Sequence, residues 1–236
     1  SFGAKHFNNL RPINNYIWAD SVVYKQEITN LIPNDEEEIW IGVFIGNYDL
    51  GGHFLNLDLQ FYPAWKPVEP PKKFILPLFN TVNIMEMSGQ NYGRFFNNDT
   101  LVVDFEIKDS LSQANLVFTT TGHGGWGGGD EFNPKLNQLF LDGEQIFSHT
   151  PWRTDCGSYR LLNPASGNFE NGLSSSDLSR SNWCPGTVTN PFFIPLKDLN
   201  PGHHQIRVVI NQGNDEGGSF SAWCVSGTII ANIPNP

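Results

Sequence analysis

Thr100-Leu101-Val102-Val103-Asp104-Phe105-Glu106-Ile107 alternates apolar and polar side chains with a period of two. Successive side chains of a strand point to opposite faces, so this run reads as a half-buried β-strand. Residues 204–210, 38–45 and 54–62 carry the same alternation, and 116–120 and 139–141 are shorter runs of the same kind. Residues 223–230 read as a last strand. The runs are punctuated by turn chemistry: Asn34-Asp35, Gly51-Gly52, Asn97-Asn98-Asp99, Asp142-Gly143 and Asn200-Pro201-Gly202. No long stretch holds an apolar period of 3.6. The class is therefore all-β, with many short strands arranged in jelly-roll sandwiches.

The chain has 236 residues, with 23 Gly and 16 Pro. Residues 62–73 contain Pro63, Pro67, Pro70 and Pro71, which cannot keep a central strand paired and suit a stiff linker. The expected organisation is 1–65 as the C-terminal part of a first jelly roll, 66–73 as the linker and 74–236 as a complete second jelly roll. Three or four strands before the linker are too few for an independent sandwich. The first sandwich is expected to be incomplete in this chain and completed from elsewhere.

Net charge is −10, from 24 acids against 14 bases, with no basic run. That excludes phosphate-backbone binding, so no nucleic-acid partner is expected. Charged residues are only 16% and aromatics 13%. This excludes a disordered chain and fits a neutral, weakly polar ligand such as a sugar. No apolar run approaches the roughly 18 residues of a membrane span.

Three constellations stand out. Residues 121–129 hold six glycines around His123 and Trp126, then Asp130-Glu131 follows. Such a run is either a flexible loop or a ligand loop presenting Trp126 and Glu131. Adjacent acids on an extended backbone face opposite ways, so one of the two enters a given site. Next, Cys156 and Cys184 stand at the two ends of a long polar loop, placed to staple it. Cys224 lies in an apolar strand and reads as a buried free thiol. The stapled segment carries Trp152, Trp183, Arg153, Arg160 and Arg180. Its arginines read either as structural partners of aspartates or as donors to a ligand. Finally, His203-His204 lacks a third ligand at usable spacing, and His123 and His149 are isolated, so neither a metal nor a cofactor is expected.

These residues carry a family resemblance. Thr-Thr-Thr-Gly-His-Gly at 119–124, the Gly-rich approach to Glu131, Asp155-Cys156, Asn163-Pro164 and the element Arg180-Ser181-Asn182-Trp183-Cys184-Pro185-Gly186 resemble the second domain of the bacterial peptide N-glycosidase F family. The resemblance continues through Ile230, and residues 24–62 look like the last strands of that family's first domain. It implies two side-by-side eight-stranded jelly rolls. It also implies hydrolysis of the amide between an N-linked glycan and asparagine, leaving aspartate and a glycosylamine, without metal.

Carried residue by residue, the likeness makes Glu131 and Arg180 the catalytic candidates. Trp183, Trp126, His123, Asp130 and Trp152 are the substrate-binding candidates. The family's principal acid/base aspartate, from an early strand of the first domain, has no counterpart at the matching place. Trp18-Ala19-Asp20 stands at the wrong distance, and a second family glutamate would fall near Phe44. The partner expected besides a glycopeptide is thus a separate N-terminal chain or fragment carrying that aspartate. A bridge between Cys156 and Cys184 suits a secreted or periplasmic protein. The alternatives are a non-catalytic N-glycan-binding sandwich and, on shared fold alone, a copper monooxygenase-type sandwich.

Overall fold

The computed structural model describes residues 3–4, 23–33, 38–43, 54–63, 71–81, 96, 100–124, 129–162, 177–197, 199–212 and 221–234. Its strands are β1 (Gly3–Ala4), β2 (Lys72–Asn80), β3 (Leu101–Ile107), β4 (Ser112–His123) and β5 (Asn137–Leu141). They continue with β6 (Glu144–His149), β7 (Val188–Thr189), β8 (Phe192–Pro195), β9 (Gly202–Ile210) and β10 (Ala222–Ile233). Eight of them form two antiparallel four-stranded sheets, ordered β2-β10-β4-β8 and β3-β9-β5-β6, which is the jelly-roll order. The short strands β1 and β7 pair separately.

The opening run behaves as its alternation predicts. β3 turns Leu101, Val103, Phe105 and Ile107 to the core and leaves Val102, Asp104 and Glu106 exposed. Across the sandwich, Leu116, Phe118, Val225 and Ile229 of the central strands β4 and β10 meet Leu139, Ile206, Val208 and Ile210. Burying each such side chain stabilises by about 1.5–3 kcal/mol. Phe118 is packed edge-on by Phe79 and Phe147, with ring centres 6.4 and 5.8 Å away. Gly227 makes room for Phe79: a Cβ there would meet the ring at 2.4 Å.

Two sequence expectations change. β2 begins at Lys72, two residues inside the expected linker, and carries Pro77 within it. A proline is tolerated because β2 is an edge strand, and Pro77 pairs Thr228 beside the register shift at Gly227/Thr228. Of the runs 38–45 and 54–62, read as strands, the described residues 38–43 and 54–62 belong to no ladder among the described residues. Trp40 and Phe54 are 90% and 104% exposed. Alternation predicts which faces a strand would bury; the strand itself needs a neighbour to take its N–H and C=O groups.

Cys156 and Cys184 are bridged across 28 residues, and Cys224 is free and buried. Closing a loop of that length stabilises by about 3–4 kcal/mol on the chain-entropy model.

At the end of the second sheet where β5 turns into β6, His204 joins two turns. One ring nitrogen meets Asp142 Oδ2 at 2.7 Å and the other meets the Asn200 carbonyl at 2.7 Å. A carbonyl only accepts. Asp142, whose other oxygen takes the Gln205 N–H at 2.8 Å, accepts as a carboxylate. Both ring nitrogens therefore donate, and His204 is an imidazolium, stacked 5.5 Å from Phe105. Burial alone would lower its pKa, but the bonds to Asp142 and Asn200 outweigh burial and raise it. Burial alone would raise Asp142, but the bonds from His204 and the Gln205 N–H outweigh it and lower that pKa. The stabilisation from His204 is complete below the ordinary histidine value of about 6.5 and is lost as pH climbs through the raised folded value. That from Asp142 is present above about pH 3.9 and is lost as pH falls through its depressed value. Between about pH 6 and pH 8 the thermal midpoint of the protein should fall, and His204→Gln should flatten that fall. A His204→Gln curve parallel to the unmodified one would remove the linkage.

Candidate functional site

The opposite end of the sandwich gathers the sequence-predicted residues. β4 ends in Thr120-Thr121-Gly122-His123, buried positions paired against Val225, Cys224, Trp223 and Ala222 of β10. Gly122 is required here. A Cβ would lie 2.7 Å from Ser181 Cβ, 2.8 Å from the Asp130 carbonyl and 2.9 Å from Trp223 Cζ2. The backbones of three segments thus meet at one point. The chain returns after the Gly-rich run at Gly129, and Asp130 and Glu131 take opposite directions. Asp130 is 1% exposed, and Trp223 Nε1 donates to its Oδ2 at 2.9 Å. Lys135 Nζ lies 3.7 Å from its other oxygen. Glu131 stays 16% exposed at its side chain and accepts from Arg180 Nε at 2.9 Å.

Arg180 is fixed from several sides. Its backbone exchanges both hydrogen bonds with Arg153, at 2.8 and 3.0 Å. Its Nη1 donates to the Leu178 carbonyl at 3.1 Å. Its guanidinium lies between two rings, 5.0 Å from the centre of Phe132 and 4.9 Å from that of Trp183. The side chain is completely buried. Burial pushes its pKa down, and the hydrogen bond and charge of Glu131 oppose this; a guanidinium nonetheless stays cationic. A buried charge is tolerated only with such compensation. Ser181 ties the two segments: its N–H donates to the Glu131 carbonyl at 3.0 Å and its hydroxyl to the Asp130 carbonyl at 2.6 Å.

His123 completes the stack. Its ring is 5.3 Å from Trp183, and its Nε2 lies 2.7 Å from Thr121 Oγ1. Glu131, Arg180, Trp183, His123 and Asp130 therefore belong to one connected network. Trp126 lies outside the described residues, as do Asp20 and Phe44. Trp152 is half-buried, one residue before the Arg153 bridge. The sequence reading missed Trp223, Ser181 and Phe132 as members. Trp223 carries no local signal, because its partner is 93 residues away. Among the described residues, Asp155, Cys156 and Cys184 lie close enough together to share a metal, but the disulfide holds both sulfurs. A shallow depression of about 650 Å³ around His204 lies at the other end of the sheet, away from this network.

Trp183 was expected among the substrate-binding residues. It is 3% exposed, its Nε1 donates to the Gly122 carbonyl at 2.9 Å, and its ring is covered by Arg180 and His123. It supports the site from within. Trp183→Ala should therefore cost about 3–5 kcal/mol of folding stability in urea unfolding. A loss below about 1 kcal/mol, the range of an exposed position, would contradict this enclosed role.

The comparisons with known proteins agree with this geometry. The family model for peptide-N-glycosidase F, C terminal, matches residues 91–230, more than half of the chain, and the N-terminal model matches residues 1–61. Among solved structures, PNGF-II in one crystal form is 60% identical with a TM-score of 0.65, over 69% of this chain and 30% of that one. In a second crystal form it is 56% identical with a TM-score of 0.67, over 73% and 32%. PNGase F, a glycosylasparaginase from Flavobacterium meningosepticum, is 16% identical with a TM-score of 0.52, over 70% of this chain and 54% of that one, a likeness of fold alone. Comparison with curated proteins gives no match. The chain matches less than a third of the PNGF-II chain's length in one crystal form and about a third in the other. The matched family models, over a jelly-roll sheet order, lead to one assignment: the chain belongs to the peptide-N-glycosidase F family.

Proposed function

We propose that the protein is a glycan-processing amidase acting on the bond between an N-linked glycan and asparagine. The observation that carries this reading is the Glu131 carboxylate, held by a buried Arg180 and still partly exposed beside the Gly-rich loop. In the reaction, water bonds to the amide carbon, the C–N bond breaks, and a proton passes to the leaving nitrogen. The products are aspartate and a glycosylamine. The Nε–H of Arg180 donates to Glu131, so Glu131 serves as an ionised acceptor for a sugar hydroxyl or the attacking water. Arg180 acts through Glu131 rather than on the substrate, because its guanidinium is enclosed by Phe132 and Trp183.

Hydrolysis also needs a proton-transferring acid/base across the substrate from Glu131. We assign it to an aspartate of the first domain, on an N-terminal segment or fragment joined to or paired with this chain. Trp126 and Trp152 are proposed to line the sugar path, with the proline-bearing stretch before β2, residues 66–71, dividing the two domains. The disulfide suits an oxidising compartment, so we place the protein outside the cytoplasm, secreted or periplasmic. No helix among the described residues is long and apolar enough to cross a membrane.

The test is glycan release from a denatured glycoprotein, read by mass spectrometry as Asn becoming Asp, with and without the N-terminal segment. With the segment present, Glu131→Gln should lower turnover roughly 10- to 100-fold, the worth of a hydrogen bond to a charged group, with KM little changed. Glycan binding without release under both conditions would favour the non-catalytic binding module instead.

A further inference from the structure

The mechanism leaves the buried carboxylate of Asp130 unused. Asp130 was expected to touch substrate, yet its carboxylate is 2% exposed and turned into the core. Taking a carboxylate out of water is costly, and a fold without need of it would carry an apolar residue there. Its partners show what it holds. Trp223, on the central strand β10 and 1% exposed, donates to Oδ2. The Asp130 N–H donates to Ser221 Oγ at 3.1 Å, just before β10. Its carbonyl takes the Ser181 hydroxyl, the residue next to Arg180. Asp130 is therefore bonded through side chain, N–H and C=O to two other segments. The adjoining residue is Glu131, whose own carbonyl takes the Ser181 N–H.

We propose that Asp130 is a positioning residue: its buried bond to Trp223 locks the exit of the Gly-rich loop onto β10 and so sets where the Glu131 carboxylate stands against Arg180. This rests on the amidase reading above only for its consequence in turnover. On the N-terminal side the Glu131 N–H reaches the Gly124 carbonyl only at 3.4 Å; the shorter bonds that fix its register run to Ser181 and, through Asp130, to Trp223. The Ser181 bonds couple Glu131 to Arg180 by backbone, and the Trp223 bond couples that pair to the sheet.

The experiment has two independent arms on the full chain. In the first, exchange of the Arg180 Nε–H with solvent is followed in ¹H–¹⁵N spectra for the unmodified protein, Asp130→Asn, Trp223→Phe and Ile229→Val. The last is a core substitution on the same strand, remote from the loop. Asp130→Asn and Trp223→Phe should each speed exchange about tenfold or more, the effect of losing about 1.4 kcal/mol of local protection. Ile229→Val should leave that proton unchanged at comparable loss of global stability. In the second arm, glycan release is measured with the N-terminal segment present. Asp130→Asn should lower kcat about tenfold with KM within about twofold, and should add nothing in a Glu131→Gln background. Faster exchange with no release even by the unmodified protein would uphold the positioning role and overturn the amidase reading. Release by the unmodified protein, with Asp130→Asn altering neither exchange nor kcat, would overturn the positioning role. Equal acceleration by Ile229→Val would also overturn it, since the effect would then be global stability alone.

Discussion

A single buried positive charge organises this end of the molecule. Arg180 sits out of water, so every group around it is arranged to compensate: Glu131 on its Nε, a carbonyl on Nη1, and two aromatic faces. Removing one partner from such a set leaves an uncompensated charge and costs more than the bond itself contributes. That constraint explains why segments distant in sequence must arrive together. The disulfide and the Arg153 bridge deliver Arg180, the return of the Gly-rich run delivers Glu131, and β4 delivers the Gly122 carbonyl that orients Trp183.

Stability and chemistry are divided between the two ends of the sandwich. The His204–Asp142 clamp joins two exposed turns and responds to pH. The Arg180 network is enclosed, and its arginine cannot lose its proton. The core between them is apolar and continuous, with Leu139 facing Val208 across the ladder. The Arg180 network is thereby carried on strand ends.

Much of the second sandwich was legible in the sequence, because its strands bury one face or both and the runs say so. The period-two pattern located β3 and β9, and the continuous apolar run located β10. β2 was not among the runs read as strands; it carries Pro77, and only its edge position, a tertiary fact, makes that proline acceptable. Residues 38–43 and 54–62 show the converse: a clean alternation with no ladder among the described residues. In the site, the family resemblance singled out Glu131 and Arg180, which the structure joins, and position at the two ends of one loop singled out the cysteine pair. The sequence could not tell that Asp130 turns inward to Trp223, since that bond depends on strand pairing across most of the domain. Nor could it show that Trp183 is enclosed, because a tryptophan next to a cysteine in a stapled polar segment reads the same whether it faces sugar or arginine.

The most direct measurement is a structure of the protein bound to di-N-acetylchitobiose, the two-sugar core of N-glycans. The account predicts the sugar beside the Gly-rich loop, with a Glu131 carboxylate oxygen within about 3 Å of a sugar hydroxyl or amide and Arg180 still bonded to Glu131. Sugar bound at the His204 end of the second sheet, with Glu131 untouched, would contradict it.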